Sequence, residues 1–188
     1  MLAEALSFLN DALVQPFAAV LLFRFYAVRL KATMRNPIGE FFMALTDFIV
    51  LRARRYIPAI RSWDSASLLL AFVVEFIYLI IFLWLQGYAF ESFPLVGLLA
   101  WTAVKLLKLS IYLLVATLLA EAILSWVNPH TPLTPMLHAV NRPFLQPLRR
   151  SIPPLGNVDL SVLIMLIICQ LILIVPIGGL EVAVQRLL

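Results

Sequence analysis

Three ionisable side chains, Arg24, Glu75 and Glu121, stand inside stretches that are otherwise oily. Two arginine pairs, Arg54-Arg55 and Arg149-Arg150, each precede an aspartate by the same interval, ten residues from Arg54 to Asp64 and from Arg149 to Asp159. A charge in hydrocarbon costs about 2.5 to 3.5 kcal/mol on the insertion scale, so such residues pair, line a wet cavity or handle ions. Arg24 lies ten residues before Met34 and Glu75 nine beyond Ala66. At about 1.5 Å per residue both fall roughly 14 to 15 Å deep, which predicts an Arg24 to Glu75 pair: a structural salt bridge, or alternatively a proton or ion site. The paired arginines suit two roles. At headgroup level each contributes about 1 kcal/mol of attraction to an anionic leaflet, and together they could also form a ligand or protein site. Asp64 and Asp159 suit helix N-caps, and their common spacing allows an Arg to Asp bridge that folds each loop back onto its helix.

Nothing in the chain reads as a catalytic constellation. There is no Gly-rich phosphate loop, no HExxH and no Ser/His/Asp arrangement. His130 and His138 are separated by Pro132 and Pro135, so one helical face does not present both, and they read as interfacial histidines with no haem or metal role. The lone Cys169 excludes an intrachain disulfide and a CxxC motif; in an apolar run it is a packing residue. The expectation is a non-enzyme with no catalytic residue, metal or cofactor.

The elements that position these side chains follow from composition. The chain has 188 residues, of which 63% are hydrophobic and 13% charged, with a mean hydropathy of +1.02. An ordinary soluble domain carries roughly twice that charge, so this is an all-α membrane protein. About 20 apolar residues span a bilayer, and four runs suffice: about Val14 to Met34, Ala66 to Gln86, Leu95 to Val127 and Leu160 to Val184. The third exceeds what a bilayer needs, which would put Lys105 and Lys108 at an interface. The N-terminal stretch carries Glu4 and Asp11 and no basic region, so it is not read as a cleaved signal peptide. Ten of the fourteen Lys and Arg fall between Arg29 and Arg61 or between the third and fourth runs, and none in GYAFESFP between the second and third runs. The positive-inside rule then puts both long loops in the cytoplasm and both termini outside. The pI near 9.6 reflects that asymmetry and points to anionic lipid headgroups, with no nucleic acid expected.

The chain is also a repeat. At an offset of 95, Arg54 falls on Arg149, Arg55 on Arg150, Ile57 on Ile152, Pro58 on Pro153, Asp64 on Asp159 and Leu68 on Leu163; Asn36-Pro37 matches Asn128-Pro129 at 92. Two units, 1–92 and 93–188, each read as helix, Asn-Pro, a Pro/Arg-rich interfacial loop of about thirty residues, and helix. With an even number of spans per unit the copies run parallel. In each, Asn-Pro should break the incoming helix. Thr134-Pro135 then looks like a cap opening a short turn, with Met136, Leu137 and Val140 on one face and Phe144, Leu145, Leu148 and Ile152 continuing it.

The motif PLRRSIPPLGNVDLS, Pro147 to Ser161, and its weaker copy LRARRYIPAIRSWDSAS resemble the YggT family of integral membrane proteins over nearly the whole chain. The first copy departs from the motif, with Arg61 where the second has Gly156. The resemblance implies an inner-membrane protein linked to osmotic or potassium stress, to envelope and cell-division organisation and, in chloroplast relatives, to maturation of the haem-bearing cytochrome b subunit. The function expected is a scaffold or assembly factor with a membrane-protein partner or a second copy of itself. The alternative is an oligomeric channel or transporter in osmotic or potassium homeostasis.

Overall fold

In a computed structural model the chain is described over residues 2–58, 63–88, 94–152 and 159–186, all of its regular elements being helical. Arg61, Pro153 and Gly156 of the repeat motif lie outside those residues. The order is α1 (Leu2–Arg29), α2 (Pro37–Ala53), α3 (Ser65–Leu85), α4 (Leu95–Val127), α5 (Thr134–Ser151), α6 (Leu160–Ile172), a π-helical turn (Leu173–Ile177) and α7 (Gly178–Gln185). Among the described residues four helices are long and apolar enough to cross a membrane, Ala3–Arg29, Ser65–Leu85, Leu95–Val127 and Leu160–Gln185. The chain is thus a multi-pass membrane protein. Three of the spans lie within a residue or two of expectation.

The first span differs. It begins at Leu2, runs unbroken through Pro16 and stops at Arg29, five residues short of Met34. The cause is a turn that sequence composition hides. Lys31 adopts the left-handed conformation (φ 55°), its N–H reaches the Val28 carbonyl at 3.2 Å and the Ala32 N–H reaches Ala27 at 2.8 Å. These are the two bonds that close a helix C-terminus around a left-handed residue. Asn36-Pro37 therefore does not end α1. Asn36 caps the next helix, accepting from the Gly39 N–H at 2.8 Å, with Pro37 in its first turn. Gly39 has no alternative there, because a Cβ would strike the Met34 carbonyl. In the second copy Asn128-Pro129 does follow the end of α4 directly, and α5 opens at Thr134.

Both long loops thus contain a helix, of 17 residues in α2 and 18 in α5. In α5 the buried stripe is Met136, Leu137, Val140, Asn141 and Leu145, while Phe144 is 40% exposed. Pro135, Pro143 and Pro147 are all exposed; Pro135 stands in the first turn, where no intrahelical donor is lost, and the helix persists through Pro143 and Pro147. Pro176 lies in the π-helical turn of the fourth span, where a missing donor is absorbed by a wider ladder.

α1 and α3 make the most extensive contact in the bundle. Small residues at their seam, Ala18, Ala66 and Ala71, are almost fully buried and let the backbones approach, the usual device where lipid gives no hydrophobic drive between helices. The two repeats meet along α3 and α4, and again at one end, where α5 packs on α1 and on the turn that leads into α2. Phe23, Ala27, Met136 and Val140 form a single core there, and Asn36 Nδ2 lies 3.3 Å from the Met136 sulfur. We call this the basic end.

Candidate functional site: two polar knots at the basic end

In the first repeat, α2 presents Thr46 to the bundle, fully buried. Its hydroxyl donates to the Phe42 carbonyl one turn back at 2.7 Å, which turns its lone pairs outward. Arg24 of α1, itself 4% exposed, donates from Nη1 to that oxygen at 2.8 Å and to Asp47 Oδ1 at 2.7 Å. Its Nε stands 3.8 Å from Asp64 Oδ2. Asp64, at the start of α3, takes Arg54 through both oxygens, at 2.7 and 3.3 Å, and the Ser67 hydroxyl at 2.7 Å. Burial pushes the Asp64 carboxyl up, but the hydrogen bonds from Arg54 and Ser67 and the charge of Arg54 outweigh it, so the group is held below the ordinary carboxylate range.

The second repeat builds the same knot with the sign of its central charge reversed. Glu121 of α4 accepts from Asn141 Nδ2 at 2.7 Å. Its other oxygen lies 3.2 Å from His138 Nδ1 and 3.5 Å from Arg149 Nη2. Asn141 in turn accepts from the Thr117 hydroxyl at 2.7 Å. Arg149 Nε donates to Asp159 Oδ2 at 2.7 Å, and Asp159 Oδ1 caps α6 by accepting from the Ser161 N–H at 3.0 Å. Burial again raises the Asp159 carboxyl, and Arg149 with the Ser161 backbone again more than offsets it. Two guanidiniums face two carboxylates in the first knot; in the second one guanidinium faces two, with the His138 ring beside Glu121. A small cavity of about 110 Å³ opens beside Glu121, Arg149 and Asp159.

The ten-residue Arg to Asp bridges are therefore present in both copies, and Asp159 acts as a cap. Asp64 holds the cap position with no side-chain bond to the helix backbone, its oxygens being taken by Arg54 and Ser67. Arg55 and Arg150 project outward at the surface. The Arg24 to Glu75 pair does not form. With α1 ending at Arg29, Arg24 is only about 7.5 Å from the helix end, while Glu75 is about 15 Å into α3. Glu75 instead accepts from Gln15 Nε2 at 3.0 Å. Lys108 is drawn into an ion pair with Glu181 at 2.8 Å.

Thr46, Asp47, Thr117 and Asn141 escaped the sequence reading, and His138, read there as an interfacial histidine, lies beside Glu121. A signal existed for two of them: Thr46 and Asn141 are 95 apart, as are the buried Val50 and Leu145, so the repeat register runs further upstream than the arginine motif suggests. Chemically, the knots consist of saturated ion pairs and hydrogen bonds that tie α2 to α1 and α3, and α5 to α4 and α6. Among the described residues no three His, Cys, Asp or Glu converge as a metal site.

Comparison with known proteins gives one consistent answer. The family model described as CCB3/YggT matches residues 3–85 and again 100–180, one segment in each repeat. A Vibrio alginolyticus protein, named as uncharacterised in the proC 3′ region, is 33% identical over 169 residues, covering 87% of this chain and 89% of its own. The Escherichia coli K12 protein named as uncharacterised YggT is 32% identical over 170 residues, with 90% and 87% covered. A Pseudomonas aeruginosa relative is 29% identical over 147 residues, with 77% and 74% covered. No solved structure is detectably similar.

Proposed function

The chain belongs to the CCB3/YggT family, and on that premise we propose that it is a non-enzymatic scaffold or assembly factor of the bacterial inner membrane. In this reading α2 and α5 lie at the cytoplasmic surface, rigidly oriented, as the docking elements for another membrane protein or a second copy. The observation that supports it is the use made of the polar residues. Each repeat commits a buried charge of a span, a polar residue of the short helix and an Arg to Asp bridge to holding that helix in one orientation. A displayed helix face gains affinity when it is preorganised, because less ordering is lost on binding. Apolar residues remain on the outer face of α2, with Phe41 and Phe48 about 60% exposed, and Arg55 and Arg150 stand free to meet anionic headgroups at about 1 kcal/mol each.

Site-specific photo-crosslinking from Phe41, Phe48 and Phe144 in native membranes tests this. Discrete adducts with a membrane protein, lost when Arg54 and Arg149 are both replaced by Gln while the chain stays in the membrane, are the expected result. Adducts indifferent to the bridges, together with potassium flux through the purified protein in liposomes, would overturn it.

A further inference from the structure

The knots leave one buried charge unexplained. Glu75 is 1% exposed, in the middle of α3. One carboxyl oxygen takes the Gln15 amide at 3.0 Å; the other is buried and has no hydrogen-bond partner among the described residues. The groups facing it are Asp11 and Gln15 on α1, Tyr78 one turn along α3, and Lys105 on α4, whose charge acts on the carboxyl. Lys105 does not close an ion pair there: its ammonium lies over the Trp101 ring, 5.9 Å from the centroid.

We propose that Glu75 is a proton-binding site inside the membrane, loaded from the end of the bundle opposite the basic end through Asp11, Tyr78 and Gln15. A buried carboxylate with a single neutral donor is far too costly to persist as a bare anion. A metal cation is a poor remedy, because hard cations take several oxygen ligands and the described residues offer one free oxygen. A proton needs only that one lone pair. Loading transfers a proton from hydronium in the bulk to Glu75 Oε2, giving the neutral acid and water. With the proton gone, Lys105 lies close enough to stabilise the anion, which makes the site exchangeable.

The route is directional. Asp11 is exposed and accepts from the Tyr78 hydroxyl at 2.7 Å; Asn10 satisfies the Tyr78 carbonyl at 3.3 Å. Tyr78 lies one turn from Glu75, and Gln15 one turn from Asp11, so polar groups run from the surface to the carboxyl. On the other side Ala18, Leu21 and Leu22 of α1 and Ala71 of α3, all at most 1% exposed, separate it from Arg24 and Ser67. A dry layer therefore divides Glu75 from the basic end. The inference is independent of the scaffold reading.

Infrared difference spectroscopy on the full chain in liposomes tests it. A carboxylic-acid carbonyl band that shifts in D2O, disappears in Glu75→Gln and exchanges several-fold more slowly in an Asp11→Asn, Tyr78→Phe double variant is expected. Should Glu75→Gln fail to accumulate, Glu75→Asp must move the band in frequency. No Glu75-dependent band between mildly acidic and mildly alkaline pH, or exchange unaffected by the double variant, overturns the proposal.

Discussion

Replacing Arg24 with Gln attacks the first knot at its centre. The guanidinium is 4% exposed, and Asp64, beside it, 1%. The change removes charge-assisted bonds to Thr46 and Asp47, each about 1.5 to 3 kcal/mol, and the 3.8 Å contact with Asp64. Breaking one side of a buried ion pair costs about 3 to 5 kcal/mol. Asp64 keeps both bonds from Arg54, Asp47 is 35% exposed and open to hydration, and Gln can restore one bond, so the lower end of that range is the upper bound here. At roughly 2 to 4 °C per kcal/mol for a chain of this length, 3 kcal/mol lowers the midpoint of thermal unfolding in detergent by about 6 to 12 °C at most. Adding Asp47→Asn should recover part of the loss, because the orphaned carboxylate is removed as well. Adding Glu75→Gln should combine with it additively, within about 0.5 kcal/mol, as separated sites do. A midpoint within 2 °C of the parent, or rescue by Glu75→Gln with none by Asp47→Asn, would refute the assignment of Arg24 to this knot.

Asp64 gives a pH signature. Its folded-state value lies below the ordinary one, so its contribution is complete above the unfolded value near 4 and is lost as pH falls through the lower folded value. Acid unfolding profiles of the parent and Arg54→Gln should therefore converge at low pH, diverge as pH rises toward about 4 and stay a constant distance apart above it. Gly39→Ala should be strongly destabilising, since the new methyl collides with the backbone at Met34, whereas Gly179→Ala, which meets nothing within 4 Å, should be neutral or slightly stabilising in the same unfolding assay. Reporter fusions after Gln86 and at the C-terminus should report the outside, and fusions at Arg55 and Arg150 the cytoplasm; a cytoplasmic C-terminus contradicts that orientation.

By itself the sequence determined that this is a four-span helical membrane protein built from two parallel repeats. Both conclusions rest on quantities that local composition and register carry: apolar runs long enough for a bilayer, and Arg54, Asp64, Arg149 and Asp159 recurring at an offset of 95. The Arg to Asp bridges were legible for the same reason, since a fixed spacing between partners of opposite charge constrains the loop between them. Tertiary structure decided where the remaining charges go. The end of α1 depends on one left-handed residue, Lys31, which no periodicity announces, and moving that end by five residues takes Arg24 out of reach of Glu75 and into reach of Thr46 and Asp47. The reversed central charge, Arg24 in one knot and Glu121 in the other, was equally hidden. The partners explain the reversal: Arg24 meets the carboxylate of Asp47 in α2, whereas Glu121 meets the amide of Asn141 and the guanidinium of Arg149, whose counterpart Arg54 is taken up by Asp64 in the first copy.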